Sequence, residues 1–183
     1  MVNNNTHLAM PIQTSRLTLR QFTLEDAAFF MALVNDKDWL AYIGDRNVHT
    51  LPAARDYLEK FYLPKYAKDG FGFYLVALKT TDQPIGMCGL IKREGLNDAD
   101  IGFAYMPAYR GCGYALEAAQ ATLVYARDVL FMRRVVAIAT PSNAASIKLL
   151  QALGLVFEGN TILPKSDEQL ALYAINLRSS LPS

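Results

Sequence analysis

Cysteine and histidine are scarce in this chain of 183 residues, with two of each. Cys88 and Cys112 cannot make a disulfide framework. With His7 in the N-terminal stretch and His49 in an expected loop, no metal-ligand spacing arises and no metal is expected. Cys88 falls in an apolar strand pattern and reads as core. Cys112 falls in a glycine-bearing loop with no base near it in sequence, so a nucleophilic role lacks support. An excess of one charge is missing too. Eighteen basic and 17 acidic residues give a net charge of +1, too little for a nucleic-acid footprint. No apolar run reaches the roughly 18 residues of a membrane span. The opening Met-Val-Asn-Asn-Asn-Thr-His has neither a basic start nor an apolar core, so it does not read as a secretory signal, and a cytoplasmic location is the expectation. No repeat, low-complexity tract or linker stands out. What remains is a chain 52% hydrophobic and 19% charged, the composition of one globular domain. That domain is expected over residues 12–178, between tails at 1–11 and 179–183.

Local patterns give the elements. Arg16 to Arg20 alternates polar and apolar, as a half-buried strand does. Thr23 with Asp26 forms a variant capping box opening a helix that carries Leu24, Ala27, Ala28, Met31 and Val34. Residues 35–47 read as a loop with a helical turn, holding the single Trp39. Thr50 caps a second helix that Pro64 disturbs or ends. The aromatic set Trp39, Tyr42, Phe61, Tyr62 and Tyr66 fits either core packing or an acceptor pocket. Phe71–Leu78 and Ile85–Ile91 read as a hairpin turning at Thr81–Pro84. A strand follows over Ala99–Met106, then a helix presenting Leu116, Ala119, Leu123 and Leu130. Val135–Ala139 is a short apolar run fitting a buried strand. Ser142 or Asn143 caps a helix with Ile147, Leu150 and Leu153, and Gly154 ends it. Strands at Leu155–Glu158 and Gln169–Leu177 close the chain.

Between the Ala99–Met106 strand and the following helix stands Arg110-Gly111-Cys112-Gly113-Tyr114-Ala115. Strand, glycine loop and helix place unpaired N–H donors and a partial positive charge at one point, which suits a phosphate. The glycines let the backbone come close to it. Leu116 excludes a dinucleotide Gly-x-Gly-x-x-Gly, and no Gly-Lys-Ser/Thr follows for a P-loop. A second constellation, Asn143-Ala144-Ala145-Ser146, sets an Asn and a Ser on one helical face. Asn143 alone is an ordinary cap; Ser146 in mid-helix asks for a reason.

The Arg110-x-x-Gly113-x-Ala115 loop resembles the acyl-CoA pyrophosphate loop of GNAT N-acetyltransferases. The strand before it, Ala99-Asp100-Ile101-Gly102-Phe103-Ala104-Tyr105-Met106-Pro107, and the opening Arg16-Leu17 and Leu19-Arg20 resemble the RimJ/RimL-like branch of that family, the ribosomal-protein N-terminal acetyltransferases. Asn143 to Leu155 resembles the family's Asn-x-x-Ser-x-x-Leu-x-x-x-Gly-Phe element. The resemblance covers residues 14–177, with departures at Leu155 for Phe, Gln151 for Glu and Arg110 for Trp. It implies an α/β (α+β) GNAT fold: a central mixed, mostly antiparallel twisted sheet of about seven strands flanked by about four helices.

The implied activity is acetyl transfer from acetyl-CoA to a primary amine by direct attack, without an acyl-enzyme. The acceptor expected first is a protein or peptide N-terminus, possibly ribosomal. The alternatives are a small amine (polyamine, amino acid or antibiotic) and a non-catalytic acyl-CoA sensor; monomer and homodimer both stay open. The resemblance places the cofactor on Arg110, Gly111, Cys112, Gly113, Tyr114 and Ala115, on the backbone of Phe103, Ala104 and Tyr105, and on Asn143 and Ser146. An amide of the splayed strand would serve as oxyanion donor. Asp100 is the favoured base, acting through water, with Glu158 as runner-up. Ser146 either protonates the leaving thiolate or hydrogen-bonds the cofactor, and Tyr105 and Tyr109 are alternative acids. Because Asp100 alternates away from Phe103 and Tyr105, a β-bulge at Gly102 is expected to re-aim it.

Overall fold

The computed structural model describes residues 11–177. The expected tails lie outside that range, apart from Pro11. Eight strands form one sheet: β1 (Ile12–Gln13), β2 (Leu17–Gln21), β3 (Phe73–Leu78), β4 (Pro84–Ile91), β5 (Ala99–Tyr105), β6 (Arg134–Ala139), β7 (Val156–Ile162) and β8 (Gln169–Asn176), in the order β1-β2-β3-β4-β5-β6-β8-β7. Seven were expected. The extra strand is the two-residue β1, too short to leave an alternating pattern, which pairs with Thr18 and Leu19 of β2.

Helices cover both faces. One face carries α1 (Ala27–Val34), α2 (Lys37–Tyr42), α3 (Leu51–Tyr57) and α4 (Leu63–Asp69) over a core of Phe22, Phe30, Leu33, Trp39, Leu58 and Leu75. The other carries α5 (Tyr114–Asp128) and α6 (Ala144–Ala152) over Leu90, Ile101, Leu123, Val135, Leu150 and Tyr173. On α5, Ala118, Ala119, Thr122, Leu123 and Ala126 are buried. That spacing of three and four makes one stripe facing the sheet.

Several starts and stops follow from single residues. Asp26 Oδ2 accepts from both the backbone N–H and the hydroxyl of Thr23 (2.8 and 3.1 Å), which closes the capping box. Thr50 caps α3 by accepting from the Ala53 N–H. Pro64 does not end its helix. A wide π turn over Leu58–Tyr62 carries the chain into α4, relieving the clash a proline makes with the carbonyl four residues back.

One break in the sheet matters most. β5 pairs with β4 from Gly86↔Tyr105 to Ile91↔Asp100. β6 pairs with β8 from Arg134↔Asn176 to Ala139↔Ala171. Between themselves, β5 and β6 run parallel and pair only at Ala99↔Val135 and Asp100↔Val136. Beyond Asp100 they diverge, opening a splay in the middle of the sheet.

Candidate active site

The bulge expected at Gly102 is not present. The β4–β5 ladder is regular through it, and the register shifts among the described strands fall at Val76/Ala77 and Phe157/Gly159. Gly102 is glycine for another reason: a Cβ there would come within 2.9 Å of the Phe73 ring. The splay itself removes the difficulty the bulge was meant to solve. A cavity of about 510 Å³ on the α1–α4 side reaches Asp100 and Gly102 and also Phe103, Asn143 and Ser146. A second cavity, of about 660 Å³, runs from the splay along the start of α5. The two share Trp39, Tyr42, Ile43, Phe103, Asn143 and Ser146. They meet where the sheet is open, so groups on opposite faces of β5 reach one place.

Asp100 forms the buried end of the first cavity, with 2% of its side chain exposed, and accepts from Arg93 Nε at 2.7 Å. Burial pushes its carboxyl up to about 6, against the pull of the Arg93 charge and the Ile138 N–H. Arg93 was not singled out in the sequence. It lies in the polar loop after β4, and only the three-dimensional structure brings it beside Asp100. Of the expected aromatic set, Trp39, Tyr42, Phe61 and Tyr62 line this cavity. Tyr66 does not; its hydroxyl bonds the Phe73 carbonyl and the Phe22 N–H.

Glu158, the runner-up base, is not brought to the site. It is exposed on the edge strand β7, paired with Arg134, and lines neither cavity. The structure corrects that placement. β7 lies beyond β8, so no residue of it flanks the β5/β6 opening. Tyr105 also lines the second cavity, but its hydroxyl is buried without a hydrogen-bond partner among the described residues, and burial pushes it well above the ordinary range, with Cys88 and Glu117 adding to the rise. Tyr109 lines the second cavity.

The strand edge follows from alternation. The Met106 N–H donates to Ile85 on the β4 side, and a Cβ on Gly86 would meet the Ala104 carbonyl at 2.5 Å. The backbone of Ala104 is therefore spent on β4, against expectation. The intervening residues Phe103 and Tyr105 turn theirs toward the splay. The Tyr105 carbonyl already accepts from Arg110 Nε at 2.9 Å, which leaves its N–H and the Phe103 groups available.

Gly111 and Gly113 adopt φ of +73° and +80°, a region costly for any residue with a Cβ. Gly113 opens α5 without a side-chain cap, so the first-turn N–H groups point outward as donors. Gly111, Gly113 and Ala115 line the second cavity; Cys112 and Tyr114 do not. Arg110 lines it as well, but its guanidinium pairs with Asp36 and Asp38 at the start of α2. Its charge is thereby used to hold the wall that carries Trp39.

Arg16 braces the glycine loop but lines neither cavity. It donates from Nη1 to the Cys112 carbonyl at 3.1 Å, stacks over the Tyr114 ring at 4.5 Å, and bonds Glu117 at 2.6 Å. The sequence showed it as the start of a strand and as part of the opening that resembles the RimJ/RimL-like branch, not as a contact of the glycine loop. Asn143 Oδ1 accepts from the Ser146 N–H at 3.1 Å, capping α6, while its amide nitrogen remains for a ligand; both residues line both cavities.

The Acetyltransferase (GNAT) domain family matches residues 16–156 of this chain. The chain is 30% identical over 161 residues to the uncharacterized N-acetyltransferase YnaD of Bacillus subtilis, covering 87% of this chain and 91% of that protein. Among solved structures, a GNAT-family acetyltransferase from Bacillus anthracis superposes with a TM-score of 0.77 at 27% identity, covering 93% and 100%. A ribosomal-protein-S5-alanine acetyltransferase from Vibrio fischeri (TM-score 0.75, 20% identity, 94% and 100% covered) has the same fold. So does a spermidine N-acetyltransferase chimera involving the Vibrio cholerae protein (TM-score 0.72, 19% identity, 90% and 97% covered). This chain belongs to the GNAT acetyltransferase family, and it is an acetyltransferase.

Proposed function

We propose that the protein transfers the acetyl group of acetyl-CoA directly to a primary amine at the β5/β6 splay. The observation carrying this reading is the meeting of the two cavities there. The larger cavity fits the cofactor: donors at the start of α5 suit the pyrophosphate, and the free backbone of Phe103 and Tyr105 suits the amides of the pantetheine arm. Acetyl-CoA supplies the activated thioester. The free N–H of Phe103 or Tyr105 would donate to its carbonyl oxygen as charge develops there. Asp100, partly protonated only near pH 6 and below, takes a proton from the incoming ammonium through water. Ser146, at the junction, holds the cofactor or returns a proton to the leaving thiolate. Cys112 is exposed and lines neither cavity, so no covalent acyl-enzyme is invoked.

The acceptor proposed first is the N-terminal amine of a peptide or protein, which the RimJ/RimL-like motifs favour. A small amine is the second reading, since one fold neighbour is named for spermidine. A cytoplasmic location completes the proposal; among the described residues no helix is long and apolar enough to cross a membrane. The test is incubation with acetyl-CoA and a panel of peptides, amino acids and polyamines, reading free thiol and product mass. Thiol release with a mass gain of one acetyl on an acceptor is expected. Acetyl-CoA binding with no thiol release across the panel would replace the enzyme by a sensor.

A further inference from the structure

The 510 Å³ cavity that receives the acceptor is cationic as well as aromatic. Arg46, Lys65 and Arg93 line it, against Asp100 and Glu168. Asp100 is already paired with Arg93, and Glu168 is exposed and accepts from the Thr140 hydroxyl. Lys65, half-buried on α4, has no hydrogen bond or ion pair among the described residues. Arg46 is exposed and, among the described residues, bonds only the Ile43 carbonyl, at 3.3 Å. Arg93 uses Nε for Asp100, which leaves its two terminal nitrogens as donors. Arg46 and Arg93 line the same cavity as the buried Tyr62. This occurs in a chain whose overall charge is nearly balanced. The half-buried Lys65 ammonium and the exposed Arg46 guanidinium thus stand on the wall of the cavity with donors free for an anionic group.

Building on the acyl-transfer reading, we infer that the acceptor carries a carboxylate or similar anion close to its amine, bound by Arg46 and Lys65 while the amine lies toward Asp100. A free amino acid supplies that group as its own α-carboxylate. A peptide N-terminus supplies it as an acidic side chain in the first residues. A polyamine would instead bring further ammonium groups to a wall where three cations outnumber two carboxylates, and is disfavoured.

Matched acceptors separate these cases. Initial rates are measured for free amino acids against their amides, for amidated peptides with Asp or Glu against Asn or Gln at the second position, and for spermidine. The carboxylate member of at least one pair should be preferred by about tenfold or more in kcat/KM, the scale of a hydrogen bond to a charged group. The arm showing the preference identifies the source of the anion. Lys65→Met and Arg46→Gln should each raise KM for that acceptor about tenfold, leaving the rate on its uncharged partner and the affinity for acetyl-CoA unchanged. Turnover that favours amides or spermidine would overturn this inference alone, as would variants that slow both pair members equally. Thiol release from no acceptor, with acetyl-CoA still bound, would overturn the acyl-transfer reading and this inference with it.

Discussion

Asp100 illustrates how one residue's environment sets what it can do. Burial raises its carboxyl to about 6, and the ion pair with Arg93 and the Ile138 N–H keep it from rising further. It is therefore ionised at neutral pH yet close enough to neutrality to exchange a proton. If it is the base, kcat/KM should climb as pH passes through about 6, where the carboxyl deprotonates. Asp100→Asn should cut turnover by about 100-fold or more with acetyl-CoA affinity unchanged, and the deficit should shrink toward the amine's own pKa. Full activity of Asp100→Asn at pH 7 would remove Asp100 from the chemistry. The stability effect has a definite sign. The folded value lies above the ordinary 3.8, so the contribution of Asp100 is most favourable below 3.8 and is lost as pH rises through about 6. The sequence singled out Asp100 by resemblance, but not its ion pair, because Arg93 lies in the loop before β5 and only the fold brings the two together.

At the scale of elements, features coded within a few residues were legible. The Thr23/Asp26 box, the Thr50 cap, the β3–β4 hairpin and the left-handed Gly154 after α6 all depend on neighbours in the chain. What was hidden depends on distant partners. Arg110 looked like a phosphate ligand until Asp36 and Asp38, more than 70 positions away, took its guanidinium. Glu158 looked like a base until the strand order put β7 at the edge. Glu117 is the most connected of these hidden residues. It accepts from Thr14 and Ser15 hydroxyls, the Arg16 N–H and Arg16 Nε, clasping the β1–β2 turn to the start of α5. Burial opposes its charge, but these bonds outweigh burial and bring its carboxyl down to about 2. Glu117 should thus stabilise the fold above its ordinary 4.5 and lose that contribution as pH falls toward 2. Glu117→Gln should cost about 1–3 kcal/mol at pH 7 and lower the melting temperature there. The gap between variant and parent should narrow by pH 3. An equal gap at both pH values would mean the carboxylate charge is not what holds the clasp.

Over the whole molecule, the eight-stranded sheet separates two helical layers except where β5 and β6 part. The family's chemistry needs such an opening, because a thioester and an amine must approach one another from two sides. The strands were legible from their own hydrophobic periods and the fold class from the family resemblance. The two cavities were not, because each draws on five or more separate segments of chain. The account therefore rests on where acetyl-CoA binds. Amide hydrogen exchange resolved to single residues, with and without saturating acetyl-CoA, tests this directly. Protection should appear at the N–H groups of Phe103 and Tyr105 and through residues 111–115, with Ala104 unchanged because its amide already serves β4. Unchanged exchange at Phe103, Tyr105 and the 111–115 loop, with protection concentrated on another face of the sheet, would contradict it.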